Sequence, residues 1–327
     1  MNSDTRHSRA RTRLLVAAML ASTVVGGLVT STPAQARGGQ AAKPDTALAA
    51  SGAAPAARES TGGPYGSSSY AGGGASAEAQ TQGPVAKPDP NARPAEPGVR
   101  PESVIGADSR TRVNPTTTFP YRATALVNFK GSDGATYMCT AWFIGKDTVA
   151  TAGHCVADGG SRKFNSVASY TVWPGANATS QPYGSCKARN LYSVVGWVYD
   201  NDSEYDYAAI KLNCTVGNTV GWYGMYWQTA TLTGKTVTIS GYPADKSPAN
   251  TQWKASGKIE SSTTRKLSYS IDTSGGQSGS AIVENRPAGS AACAGQCSMG
   301  IHTYSGNSGT RITQGVFDNL KSWKDAA

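Results

Sequence analysis

Over residues 103–327 the chain predicts an all-β fold closed by one helix, and three observations carry that expectation. Eight short β-favourable runs, at 123–129, 138–144, 148–152, 207–212, 236–239, 266–271, 280–283 and 298–303, are separated by Gly, Pro, Asn or Asp. Such spacing suits a sandwich or barrels. Near the C-terminus, Val316, Leu320 and Trp323 recur at helical spacing beside Phe317, which predicts an amphipathic helix over about 314–324 that packs on the strands. All 6 cysteines and all 7 tryptophans lie after position 102, so this stretch is the folded unit, long enough for one large domain or two small barrels.

What precedes the unit differs in kind. Residues 1–36 read as a secretory signal peptide: Arg6, Arg9, Arg11 and Arg13 precede an apolar run over 14–29, and Ala34-Gln35-Ala36 forms a small-x-small cleavage pattern. Ser22, Thr23, Gly26 and Gly27 interrupt the run, which is short for a bilayer span. The mature protein is therefore expected to be secreted, extracellular and free of the membrane once the signal is removed. Residues 37–102 hold 11 of the 38 glycines and 9 of the 17 prolines, with only Tyr65 and Tyr70 as aromatics. That composition buries too little apolar surface to offset ordering entropy, so a disordered propeptide is expected, with a folded foldase-type pro-domain as the alternative.

Charge and cysteine usage narrow the function. Residues 103–327 carry 20 Lys and Arg against 14 Asp and Glu, scattered rather than clustered, and no basic helix or nucleic-acid motif appears. Partners are therefore expected to be protein or peptide substrates, not nucleic acid, and the protein a monomer. An even cysteine count in an exported chain favours disulfides over metal ligands. Only His154 and His302 survive loss of the signal, too few for a zinc cluster.

The chemistry is expected at Thr273-Ser274-Gly275-Gly276-Gln277-Ser278-Gly279-Ser280, one serine among glycines that let backbone amides approach a substrate. A nucleophilic serine needs a general base, a group that orients the base, and donors for the developing oxyanion. Gly276 and Ser278 N–H would supply the donors. Thr148-Val149-Ala150-Thr151-Ala152-Gly153-His154-Cys155 runs from a strand into a corner that presents an imidazole beside a cysteine able to pin it. Asp206 heads a strand whose alternate members Ala208, Ile210 and Leu212 are apolar, so it can be buried and still reach an imidazole. Asp200 and Asp202, in a polar run, read as solvated loop.

The order His154, Asp206, Ser278 is that of chymotrypsin rather than of subtilisin or the α/β-hydrolases. With it the chain resembles the chymotrypsin-fold serine endopeptidases, and among them the secreted bacterial glutamyl endopeptidases. The likeness spans 103–327 through Ser103-Val104-Ile105-Gly106, Thr151-Ala152-Gly153-His154-Cys155, Tyr205-Asp206-Tyr207, Ile239-Ser240-Gly241-Tyr242-Pro243, Gly275-Gly276-Gln277-Ser278-Gly279-Ser280 and Gly309-Thr310-Arg311-Ile312-Thr313. It implies two antiparallel six-stranded β-barrels, at about 119–220 and 230–313, with the site in the crevice between them. His154 and Asp206 would come from the first barrel and Ser278 from the second. Thr273, His302 and Ser305 would bind the substrate's glutamate carboxylate, which needs donors and a protonatable group when buried. The triad requires no cofactor and no metal; a structural calcium stays open.

Two positions bear on the trypsin-like alternative, one matching its pattern and one departing from it. Asp272 lies six residues before Ser278, where trypsin-like enzymes place the aspartate that selects Lys or Arg, so that specificity is the runner-up. A catalytically silent homologue that only binds partners is the third possibility. Gln277 stands where those enzymes carry the aspartate that pairs with the freed N-terminal amine, so activation must work differently. In glutamyl endopeptidases the mature terminus lies near the specificity pocket, which implies a substrate-binding role for Ser103, and Glu102 before it fits self-processing of a zymogen. The resemblance also implies a Cys139–Cys155 bridge. Cys293 and Cys297 are near enough for a local one, which leaves Cys186 with Cys214. The run Trp222-Tyr223-Gly224-Met225-Tyr226-Trp227 reads as core or inter-barrel connection.

Overall fold

The structure, a computed structural model, describes residues 42–55, 69–73, 85–95, 103–303 and 306–327. The expected signal peptide lies outside the described residues, as does Ser305. Among the described residues no helix is long and apolar enough to cross a membrane.

Two closed barrels follow one another along the chain. The first is a ring of six strands: β4 (Thr124–Lys130), β5 (Thr136–Phe143), β6 (Thr148–Thr151), β9 (Ala208–Leu212), β8 (Cys186–Val194) and β7 (Thr171–Pro174), closed by β7 on β4. Its sides are apolar inward. Val127, Val149, Leu191 and Ile210 are fully buried there, in a hydrophobic cluster that also takes in Trp142, Trp197 and Trp323. The second ring is β11 (Thr236–Gly241), β12 (Trp253–Ser262), β13 (Lys266–Tyr269), β16 (Ser308–Arg311), β15 (Gly295–Thr303) and β14 (Ala281–Arg286). Ile239, Ile259, Leu267, Ile282 and Met299 fill it. Each closure removes most of the open edge that a flat sheet would expose to other chains, but β5 meets β6 only at Trp142 and Phe143, which leaves its start at Tyr137 and Met138 unpaired by the ring on that side.

The C-terminal helix (Gln314–Asp325) closes the fold on the first barrel. Thr313 caps it by accepting the Val316 N–H on its Oγ1 at 3.3 Å, and Val316, Phe317, Leu320 and Trp323 turn inward. Trp323 stacks on Tyr192 and Tyr207 with centroids 5.7 and 5.8 Å away. The aromatic run at 222–227 joins the barrels: β10 (Gly224–Met225) pairs with β15, and Tyr223 donates to or accepts from Thr124 Oγ1 at 2.8 Å.

The expectation of a wholly disordered leader needs correction. Within 37–102, β1 (Ala47–Ala49) pairs antiparallel with β8, and β2 (Arg93–Pro94) pairs parallel with β5. Tyr70 bridges to Trp222. Asp45 accepts from Tyr207 Oη at 2.9 Å and pairs with Arg265, while Asn319 Nδ2 donates to the Asp45 carbonyl at 2.9 Å. These pieces have no core of their own. They are ordered by backbone donors and acceptors that the barrels already hold in place, which composition does not register.

After position 103 the chain is strapped to barrel two. β3 (Thr111–Arg112) pairs with β12, and the buried Arg110 guanidinium bridges Asp108 and Asp245 at 2.9 and 2.5 Å. The Arg110 hydrogen bond is the largest influence on Asp108 and holds its carboxyl far below the ordinary range.

Candidate active site

His154 sits in the single helical turn Gly153–Cys155 that follows β6, and Asp206 ends the turn Ser203–Tyr205 just before β9. Pairing of β6 with β9 brings those two strand ends side by side. The fully buried carboxylate then accepts twice from one residue: Oδ2 is 2.8 Å from His154 Nδ1, and Oδ1 takes the His154 backbone N–H at 2.8 Å. A carboxylate can only accept, so Nδ1 carries a proton and Nε2 is the nitrogen that can take one. Thr310 Oγ1 donates to the Asp206 carbonyl at 3.1 Å, tying this pair to barrel two. Asp202 caps its own turn through Glu204 N–H at 2.9 Å.

The nucleophile loop is a turn that only glycine can complete. Gln277 N–H donates to Ser274 O at 3.0 Å, and Gly276, third in the turn, has φ 95°. A Cβ there would meet Tyr242 O at 2.5 Å; at Gly279, φ 89°, one would meet Thr140 O at 2.1 Å. The turn's own bond leaves Gly276 N–H unused by it. Gln277 folds inward, fully buried, and its Oε1 accepts Ser274 N–H at 3.1 Å. The loop is thus braced from within, at the position where a trypsin-like enzyme would need an N-terminal amine.

Thr140 on β5 holds this loop from the opposite barrel. Its N–H donates to Ser278 O at 2.9 Å, and its Oγ1 donates to Gly276 O at 2.9 Å while accepting Tyr242 N–H at 2.9 Å. The Cys139–Cys155 bridge flanks the same contact, with Cys155 Sγ 3.9 Å from Ser278 O. Ser278 is therefore docked against the residue next to His154. Cys186–Cys214 and Cys293–Cys297 are also bridged, so no cysteine is free. Cys139, His154 and Cys155 form the one cluster of metal-ligand type among the described residues, and its two sulfurs are consumed by the disulfide.

Thr273 and His302 both reach this region, and Asp272 does not. His302 on β15 is fully buried and exchanges backbone bonds with the loop: Gly279 N–H donates to its carbonyl at 2.7 Å, and its N–H donates to Ser280 O at 2.8 Å. Its Nδ1 faces Tyr269 Oη at 2.5 Å and Ser308 O at 3.1 Å; a carbonyl can only accept, so Nδ1 is protonated here too. Asp272 points the other way. Its Oδ1 accepts Ile105 N–H at 2.7 Å, and its Oδ2 accepts Ser109 N–H at 2.7 Å and Ser109 Oγ at 2.6 Å. Burial works against its charge, but these three donors outweigh it and keep the carboxyl below the ordinary aspartate range.

Sequence reasoning missed Asn307, a fully buried residue that ties Ser103 to Thr273. Its Oδ1 accepts both Ser103 N–H and Thr273 Oγ1 at 2.9 Å, and its Nδ2 donates to Ser103 O at 2.7 Å and Ile271 O at 3.0 Å. Ser103 and Thr273 are thereby held against one oxygen. Asn307 has φ 55°, a left-handed turn position that asparagine tolerates, and this turn preference is the only signal the sequence offers for it.

Comparison with known proteins places this geometry. Residues 110–326 match the Trypsin family model. The chain is 51% identical over 232 residues to the glutamyl endopeptidase of Bacillus licheniformis, covering 69% of this chain and 70% of that protein. It is 42% identical over 230 residues to a Bacillus subtilis protein named extracellular metalloprotease, covering 69% and 71%. A solved structure of Glu endopeptidase in complex with MPD superposes with a TM-score of 0.61 at 33% identity, covering 68% of this chain and 100% of that one. The chain belongs to the trypsin family of serine endopeptidases and, within it, to the glutamyl endopeptidases.

Proposed function

We propose that the chain is exported, loses its leader after Glu102, and as residues 103–327 cleaves peptide bonds following acidic residues, preferentially Glu. Ser278 Oγ attacks the carbonyl as His154 Nε2 takes its proton, and Gly276 and Ser278 N–H receive the oxyanion. His154 returns the proton to the leaving amine, giving an acyl-enzyme that water hydrolyses by the same steps in reverse roles. Asp206 fixes the tautomer and stabilises the imidazolium.

The observation that carries the specificity is the contrast between Asp272 and the pair Thr273 and His302. Asp272 is saturated by Ile105 and Ser109, whereas Thr273 shares Asn307 Oδ1 with Ser103, and His302 sits against the nucleophile loop with an imidazole that pairs with a carboxylate once doubly protonated. Cleavage before Ser103 would turn its N–H into an ammonium group at the same Asn307 oxygen as Thr273 Oγ1, adding positive charge where a glutamate side chain binds. The substrates are proteins and peptides in the extracellular medium, met by a monomer that needs no cofactor, membrane or nucleic acid.

The test is to digest a denatured protein with the processed enzyme and map every cut by mass spectrometry. Cuts after Glu, fewer after Asp, are expected; cuts after Lys or Arg would overturn the specificity. Ser278→Ala is expected to lower turnover on the order of 10⁴-fold or more with the fold retained. Near-normal activity in that variant, or no labelling of wild-type Ser278 by a fluorophosphonate, would refute the mechanism.

A further inference from the structure

Beside His154 lies a cavity of about 390 Å³ whose wall includes Tyr137, Asp158, Trp197 and one residue of the leader, Ala95. His154 delivers a proton to the leaving amine, so the part of a substrate that follows the scissile bond must run past this imidazole. The neighbouring backbone is β5, which offers an edge there. Leader strand β2 already uses it: Arg93 lies opposite Tyr137, Pro94 opposite Met138, and Ala95 N–H donates to Met138 O at 3.1 Å.

The contact extends well beyond that bridge. Ala92 is buried among Leu126, Met138, Trp173 and Tyr242. Trp173 Nε1 donates to Ala86 O at 2.6 Å, and Asn128 Oδ1 accepts Asp89 N–H at 2.9 Å. Every one of these partners belongs to 103–327, so the surface persists after the leader is cut. Pro88, Pro90 and Pro94 limit the conformational freedom the segment loses on docking.

Polarity separates this segment from a substrate. Residues after a scissile bond run, N to C, away from His154. The leader runs toward it, from Val85 to Ala95 at the cavity. We propose that the β5 edge at Tyr137 and Met138 is a docking surface for residues 85–95, which inhibit the processed enzyme by adding a strand of reversed direction on the leaving-group side. Held that way, the segment offers Ser278 no bond in the productive direction and is not cut.

This rests on the endopeptidase reading, and the experiment separates the two. Processed enzyme, recovered from the secreted full chain, is assayed with a synthetic peptide of residues 85–95 as inhibitor. One substrate is a quenched peptide extending several residues beyond its Glu; the other is an acyl-Glu methyl ester with almost nothing on the leaving side. The peptide is expected to raise the apparent KM of the extended substrate several-fold, to leave ester hydrolysis unchanged, and to be recovered intact. A peptide carrying Ala92→Arg should bind about tenfold more weakly, since its side chain no longer fits between Met138, Trp173 and Tyr242. No effect up to about 1 mM peptide, equal inhibition of both substrates, or cleavage of the peptide would each overturn the proposal. An enzyme that fails to hydrolyse either substrate without the peptide refutes the endopeptidase reading instead.

Discussion

Replacing Asp272 by asparagine separates the two specificities that the sequence alone leaves open. The carboxylate is 3% exposed and accepts three hydrogen bonds from the segment that leads back to Ser103. Asparagine keeps one accepting oxygen, which at the Oδ2 site can still take both Ser109 bonds, but its NH₂ group then faces the buried Ile105 N–H, so at least one of the three bonds is lost and the survivors lose their charge. At about 1 kcal/mol net for each neutral bond, and up to about 3 for a charged one, the change destabilises by about 3 kcal/mol. For a domain of this size that lowers Tm by roughly 6–12 °C. Thermal unfolding of the processed protein, followed by circular dichroism, reads the stability; a cleavage map on a denatured protein reads the specificity. The expected outcome is a lower Tm with cuts still after Glu. An unchanged Tm together with loss of Lys or Arg cleavage would show that Asp272 lines the pocket, and the argument from its hydrogen bonds would be wrong.

The same carboxyl sets a pH dependence. Its folded pKa is depressed, so its contribution is fully present above the ordinary aspartate value of about 3.9 and is lost as pH falls through the lower folded value. The difference in denaturant stability between wild type and Asp272→Asn should therefore be constant above about pH 5 and shrink below about pH 4; a difference that grows on acidification contradicts this. Asn307→Ala frees Ser103 and Thr273 from their shared oxygen, and is expected to raise KM for Glu peptides about tenfold with a smaller change in kcat. Steady-state kinetics on a Glu peptide checks it, and an unaltered KM removes Asn307 from the pocket's construction.

Much of the frame was visible in the residues because β-branched and aromatic runs bounded by turn residues coincide with β4, β5, β6, β9, β11, β13, β14 and β15. Among the strands not foreseen, which also include β7 and β8, two owe their order to partners. β16 is Ser-Gly-Thr-Arg, polar yet buried, and β12 carries Gly257 with exposed Lys258 and Glu260, so neither shows an apolar alternation. The leader strands are the extreme case, since Arg93-Pro94 has no strand signal at all and exists as one only against Tyr137 and Met138. At the site, the motifs around His154, Asp206 and Ser278 were readable because each needs a particular residue type. The direction of Asp272 was not, because it depends on where Ile105 and Ser109 lie, more than 160 positions away. Asn307 escaped for the same reason: its four side-chain bonds go to three residues in two distant stretches of chain, Ser103 in one and Ile271 and Thr273 in the other.

Thr140 gives the enzyme a built-in gauge of its own integrity. One threonine of the first barrel holds the carbonyls of Gly276 and Ser278, the two residues whose N–H groups we propose as oxyanion donors in the second. A slight parting of the barrels would break those bonds and unmake the catalytic geometry while both interiors stayed packed and every disulfide stayed closed. Activity should then disappear on heating at a lower temperature than circular dichroism changes, and the exchange rate of the Thr140 amide proton should follow the first event rather than the second.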